Sequence, residues 1–242
     1  MRESSNAYLI HSMPYQETSV IARLLTEKFG KVSVIAKGVR RKNHKWRSLL
    51  NSFNPITVDV KTSLKPDGLA MLYGVDQNGK AKQFEDYIVT LSLFYINELI
   101  HLLVPANQPD QKLYDTYVAI LGSISISNLS YKLRLFELAL LEYLGYGLHF
   151  ENDSNHEPIE KNCHYLIKPL SLPEKYIGNH LNNSYVFKGI VLLELLIVKG
   201  GGKEAKFHNL KKITKLNIDH LLEGKALESK RLLQDYLDMK KR

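Results

Sequence analysis

Gly30-Lys31-Val32-Ser33-Val34-Ile35-Ala36-Lys37-Gly38-Val39-Arg40-Arg41-Lys42-Asn43-His44-Lys45-Trp46-Arg47 begins as a strand and ends as a cationic loop. Val32–Ala36 is an alternating apolar run, the pattern of a half-buried strand. The charge gathers at its exit. From Lys28 to Arg47 there are eight Lys or Arg residues (Lys28, Lys31, Lys37, Arg40, Arg41, Lys42, Lys45 and Arg47) and no Asp or Glu. Gly38, His44 and Trp46 are interleaved with them. A strand that empties into a basic loop suits the grip of a phosphate backbone.

The stretches around this segment read as further strands. They are Ala7–Met13, stopped by Pro14, then Thr18–Thr26, Ile56–Thr62 and Leu69–Val75, the last preceded by a Pro66-Asp67-Gly68 turn. Ile56, Val58 and Val60 alternate with Thr57, Asp59 and Lys61. Ser48–Phe53 reads as a short helix or an irregular linker. Five short strands with no long helix between them predict a small closed or nearly closed barrel.

Beyond the barrel the period changes to helical. Helices are expected over Phe84–Leu103, Asp110–Leu121, Leu129–Tyr146, Val186–Val198, Leu210–Leu222 and Ser229–Met239. Leu129–Tyr146 is the clearest, with Leu133, Phe136, Leu140, Leu141 and Leu144 on one stripe. Gly200-Gly201-Gly202 is expected to end the fourth. Residues 151–185 hold Pro158, Pro169 and Pro173 with weak periodicity, and read as loops with a short hairpin. The expected organisation is α+β: a nucleic-acid-binding barrel over 1–79 and a helical domain over 80–242, with a loop-rich insert at 151–185.

Bulk composition narrows the functional classes. The chain has 242 residues, 44% hydrophobic and 24% charged, an ordinary globular balance. Its net charge is +8, and residues 1–80 hold 13 basic and 6 acidic side chains. Almost all the excess positive charge therefore lies in the first third. A pI near 9.3 predicts an acidic partner. Cys163 is the single cysteine. It makes no internal disulfide and no thiolate-rich metal site, and with no apolar signal run it fits a reducing cytoplasm. No apolar run is long enough to span a bilayer.

The candidate sites follow from residue chemistry. Eight like charges without counter-charge repel one another unless an anion binds. Lys31, Lys37, Gly38, Arg40, Arg41, Lys42, Lys45, Trp46 and Arg47 are therefore the expected nucleic-acid contacts. Each phosphate neutralised on a single strand adds about −0.7 to the slope of log affinity against log salt. Trp46 reads either as a stacking platform for an unpaired base or as a lid on the barrel core. The histidines show no HExxH pairing, so no metal site is expected. Gly200-Gly201-Gly202-Lys203 fails the Walker pattern, because Ile197 and Glu204 stand where a Gly and a Ser or Thr are required. No nucleophile elbow and no carboxylate cluster point to catalysis. Lys132 and Arg134 read as a solvated helix face or as an anion-binding rim.

Several stretches together carry a family resemblance. They are Ala7–Leu25 with Pro14-Tyr15-Gln16-Glu17-Thr18-Ser19, Gly30–Arg40 with Ala36-Lys37-Gly38-Val39-Arg40, and Leu133–Gly147 with Arg134-Leu135-Phe136-Glu137-Leu138-Ala139-Leu140-Leu141. Tyr95–Leu99 and Ala226–Leu233 add to them. In order and spacing they resemble the RecO family of bacterial DNA repair proteins. The resemblance implies an N-terminal OB-fold, a helical C-terminal domain and a non-enzymatic role without a cofactor. It implies binding of single- and double-stranded DNA, annealing of complementary strands, and loading of RecA onto strands coated by single-stranded DNA-binding protein (SSB). RecR and sometimes RecF would be partners, as would the acidic C-terminal tail of SSB, in a cytoplasmic, nucleoid-associated setting. Lys37, Gly38 and Arg40 match the family's barrel motif. Arg134 matches a position associated with the SSB tail, with Lys132 beside it. A guanidinium can take a terminal carboxylate through two hydrogen bonds. Many members carry a four-cysteine zinc module after the long helix. This chain has only Cys163 there, so it looks like the subgroup without the metal. The rival reading is an RNA-binding OB-fold protein, such as a ribosome-associated factor, since the sequence does not say whether a 2′-hydroxyl is read.

Overall fold

Alternation along the strands fixes the barrel. The barrel strands are β1 (Arg2–Tyr15), β2 (Ser19–Thr26), β3 (Gly30–Ala36), β4 (Ile56–Lys61) and β5 (Ala70–Gln77), and in β3 and β4 every second side chain is buried. Val32, Val34 and Ala36 of β3 are fully buried, as are Ala22 and Leu24 of β2 and Ile56, Val58 and Val60 of β4. The computed structural model describes residues 2–61, 68–178, 185–198 and 207–241. The expected Pro66-Asp67 turn, the Gly200–Gly202 helix stop and the rejected phosphate loop lie outside the described residues.

The strands close in the order β1-β2-β3-β5-β4, with β4 returning to β1. All pairings are antiparallel except β3 with β5. The expected first strand, Ala7–Met13, is a correction: β1 runs from Arg2 to Tyr15. Its first half pairs with β4 and its second half with β2, with an irregularity between Leu9 and His11. Pro14 falls where β1 has a strand on one side only, a position that tolerates a residue without an N–H. The polar start Arg2–Asn6 is invisible to a hydrophobic pattern but is held by its register with β4.

The helices are α1 (Tyr87–Leu103), α2 (Gln111–Ser123), α3 (Leu129–Tyr143), α4 (Gly189–Val198), α5 (Phe207–Leu221) and α6 (Glu228–Lys240). Asp86 caps α1 by accepting from Ile88 and Val89 N–H, and Asp110 caps α2 by accepting from Leu113 N–H. The chain divides into two compact units, 1–126 with 227–242, and 127–226. This differs from a division at 79/80, because α1, α2 and α6 share a unit with the barrel.

Within the first unit α1 lies against β1. Asn97 is buried, donates to Leu9 O at 3.5 Å and accepts from Tyr117 Oη at 2.8 Å. Tyr8 packs edge-on to Tyr117, with ring centres 5.3 Å apart. Leu227 gives α6 no side-chain cap. The carboxylate of Glu98, on α1, supplies one by accepting from Glu228 N–H at 2.8 Å, from Ser229 N–H at 3.0 Å and from the Ser229 hydroxyl.

In the second unit the expected helix Val186–Val198 is corrected at its start. Val186–Lys188 is β8, which joins β6 (His164–Leu166) and β7 (Glu174–Lys175) in a small antiparallel sheet, and α4 begins at Gly189. Gly189 marks the switch, because a Cβ there would stand 2.1 Å from Glu160 O. Asp153 ties the loop ahead of this sheet. Its buried carboxylate accepts from Asn155 and Glu157 N–H at 2.9 and 3.1 Å. Among the described residues no three His, Cys, Asp or Glu side chains are grouped to hold a metal. A four-thiolate zinc module does not fit the single Cys163. No helix among the described residues is long and apolar enough to cross a membrane.

Candidate nucleic-acid interface

The basic segment leaves β3 at Ala36 and reaches β4 at Ile56 through a chain of tight turns. Arg41 N–H bonds Gly38 O at 3.0 Å, His44 N–H bonds Arg41 O at 3.2 Å, and Leu50 N–H bonds Trp46 O at 2.9 Å. Gly38 has φ +71°, a left-handed conformation that favours glycine, so its role here is to turn the backbone. Arg40 N–H holds Thr18 O at 2.9 Å, which anchors the segment to the start of β2.

This path sorts the charged side chains. Lys37, Arg40, Arg41, Lys42, Lys45 and Arg47 are all exposed. No ion pair among the described residues involves any of them. The Arg40 guanidinium donates to the carbonyls of Gln16 and Glu17 at 3.4 and 3.3 Å, which fixes its direction while leaving its charge uncompensated. Six like charges in one loop without counter-charge form a ready anion site.

Two of the expected contacts are placed apart from these six exposed cations. Lys31 is half-buried, and its ammonium donates to His101 O at 2.7 Å and Ile100 O at 3.4 Å. It sits on the C-terminal carbonyls of α1, where a cation offsets the helix dipole. Burial, and then the neighbouring Arg23 charge, push its ammonium down to about 8. Trp46 is only 8% exposed and belongs to the barrel core with Val39, Leu24 and Val34. It is the lid of the core, not an exposed platform, and its indole Nε1 has no hydrogen-bond partner. The charge count could not separate Lys31 from its neighbours, because α1 lies about seventy residues away in sequence.

A second cationic cluster was not legible in the sequence. On the outer face of the barrel, Arg23 Nη1 bonds His101 Nε2 at 2.9 Å and His11 Nδ1 at 3.3 Å. The two imidazoles stack with centres 4.4 Å apart. Burial first, then Arg23, His11 and Lys31, push His101 down to about 4. Burial and Arg23 lower His11 as well, against an opposing pull from Glu98. The rings therefore serve as neutral acceptors for Arg23 at neutral pH.

In the second unit Arg134 lies on the buried side of α3. It is 6% exposed, and its guanidinium meets the buried Glu137 carboxylate at 2.5 Å. The other oxygen of Glu137 accepts from the Thr214 hydroxyl of α5 at 2.5 Å. Arg134 therefore belongs to a buried link between α3 and α5. Lys132 is half-buried. Two residues apart on a helix, it and Arg134 point in different directions and do not form one rim. The signal was present in the sequence: Arg134-x-x-Glu137 has ion-pair spacing, and the buried stripe is Arg134, Phe136, Glu137, Leu140 and Leu141.

Fold and site define an OB-like barrel protein with a helical C-terminal region. The family model described as Recombination protein O N terminal matches residues 1–77, and that described as Recombination protein O C terminal matches residues 84–231. The chain is 31% identical over 241 residues to the DNA repair protein RecO of Francisella tularensis subsp. novicida, spanning 100% of both. It is 32% identical over 242 residues to that of Francisella philomiragia, again spanning 100% of both. With that of Haemophilus influenzae it shares 29% over 238 residues, 95% of each. The chain belongs to the RecO family of DNA repair proteins.

Proposed function

We propose that this chain is a non-enzymatic recombination mediator. It binds single- and double-stranded DNA, anneals complementary strands, and helps RecA load onto SSB-coated single strands together with RecR. The observation that carries the reading is the set of six exposed cations between Lys37 and Arg47 without an acidic partner among the described residues. Two phosphate backbones held on one cationic surface lose much of their mutual repulsion, which is a physical route to annealing. RecR, RecF and the SSB tail are partners by family resemblance. Docking of the tail is not assigned to Arg134, whose charge is already used by Glu137.

The test is annealing of complementary oligonucleotides coated with SSB, with and without RecR. Arg40→Glu/Arg41→Glu protein should anneal at least tenfold more slowly at moderate salt. An undiminished rate would remove the loop from the mechanism. Competition of single-stranded DNA against RNA separates this reading from an RNA-binding role.

A further inference from the structure

The barrel loop is one of two cationic segments in the sequence. From Lys199 to Lys215 there are six Lys and one acid, Glu204. The described part of that segment is the first half of α5, and the inference is confined to this helix. Leu210, Ile213, Thr214, Asn217 and Ile218 are buried and give α5 its inward side. His208, Lys211, Lys212 and Lys215 stand at i, i+3, i+4 and i+7, so they share the opposite face. His208, Lys211 and Lys215 are exposed, and Lys212 is half-buried. Lys215 pairs with Asp219 one turn on. No ion pair among the described residues involves Lys211 or Lys212. Like charges one turn apart work against a helix, and a bound anion relieves them.

We propose that this face of α5 holds the phosphates of a second nucleic-acid strand, while the loop between β3 and β4 holds the first. The inference rests on the DNA-binding reading above and adds a second site to it. Annealing needs two strands on one protein, and each compact unit carries one cationic segment. The occupant follows from what the face offers. Every exposed side chain described on α5 is a Lys or a His. A protein partner draws its affinity from apolar or aromatic anchors, and these positions present none. A phosphate backbone needs only cations and is bound whatever its base sequence. Lys211 and Lys215 are about 6 Å apart along the helix axis, close to the spacing of successive phosphates on an extended strand. Three lysines, one of them shared with Asp219, make this the weaker site, which fills after the six-cation loop.

The experiment mixes full-length protein with donor- and acceptor-labelled dT oligonucleotides, which cannot pair with each other. Energy transfer between the labels reports two strands on one protein, and wild type should show it. Lys211→Ala/Lys212→Ala/Lys215→Ala should weaken entry of the second strand about 100-fold at about 0.1 M salt, since three contacts give a slope of about −2 per decade of salt below 1 M. First-strand affinity should stay near the wild-type value, and annealing of complementary strands should slow. Lys211→Arg/Lys212→Arg/Lys215→Arg keeps the charge and should keep the transfer, which separates charge from packing. Wild-type protein that binds one strand without transfer overturns the second site but leaves binding by the loop intact. Transfer that survives the Ala substitutions overturns the assignment to α5. Absence of transfer with Lys211-dependent capture of an acidic peptide gives the face to a protein and overturns the proposal. Failure of wild-type protein to bind any strand overturns the broader reading and the second site with it. If the substituted proteins fail to fold, a second strand bearing an abasic aldehyde is trapped on wild-type lysines by borohydride. Adducts at Lys211, Lys212 or Lys215 support the site, and adducts confined elsewhere overturn it.

Discussion

Replacing Arg134 by Ala should unfold the second unit at much lower denaturant, because the partner it leaves behind is buried. Glu137 is 2% exposed, and its oxygens meet Arg134 at 2.5 Å and the Thr214 hydroxyl at 2.5 Å. Removing one member of a buried pair leaves an uncompensated charge and costs about 3–5 kcal/mol. With a urea slope of roughly 2 kcal/mol per molar, the midpoint should fall by roughly 1.5–2.5 M. Far-UV circular dichroism follows the transition through the helices. Arg134→Met/Glu137→Leu removes both charges, fills similar volume and should recover most of the loss. The double change separates burial of a carboxylate deprived of its guanidinium from mere loss of packing. If Arg134→Ala melted like wild type but lost affinity for an SSB tail peptide, Arg134 would be an open carboxylate clamp and the buried-pair argument would be wrong.

Trp46, the only tryptophan, should emit at short wavelength, resist acrylamide and show no stacking quench when single-stranded DNA binds, since it is 8% exposed. Trp46→Phe should cost less than about 1.5 kcal/mol and Trp46→Ala about 3–5. Glu98→Ala strips α6 of its surrogate cap and should cost about 1–2 kcal/mol, with faster hydrogen exchange at Glu228 and Ser229. Stability should fall as pH drops from 6.5 toward 4: His101 titrates near 4 when folded and near 6.5 when unfolded, so the unfolded chain binds the extra proton in that window. For a fully buried ring this gap is worth about 3 kcal/mol; half exposure reduces it to about 1–2. His101→Gln should flatten the profile of urea midpoint against pH over that window, and an unchanged profile would acquit the imidazole.

The barrel was legible because alternation is a local signal with a strong physical cause. A one-residue slip would put Val32, Val34 and Ala36 into water and Lys31 and Ser33 into the core. The helices were legible for the same reason, apart from Val186–Lys188, where a short apolar run fits either period. Direction was not legible. Lys31 and Lys37 look alike in a charge count, yet one ends on the carbonyls of α1 and the other in solvent. The residues holding Lys31 are known only once α1 is docked on β1. Trp46 is a similar case. An indole amid arginines satisfies the composition of a stacking platform, but the apolar demand of the barrel core decided its position. Two stretches of the resemblance, Tyr95–Leu99 and Ala226–Leu233, meet in space through Glu98 and Ser229. That part of the pattern reports helix docking, whereas Lys37, Gly38 and Arg40 report the loop.

The most direct measurement is the salt dependence of binding to a dT oligonucleotide. Six phosphates neutralised by Lys37, Arg40, Arg41, Lys42, Lys45 and Arg47 give a slope of about −4 in log affinity against log salt. Changing Lys37, Arg41, Lys42 and Lys45 together to Ala should bring it to about −1.4, while Lys31→Ala should leave it near −4. A slope indifferent to the four loop substitutions, or halved by Lys31→Ala alone, would contradict the account.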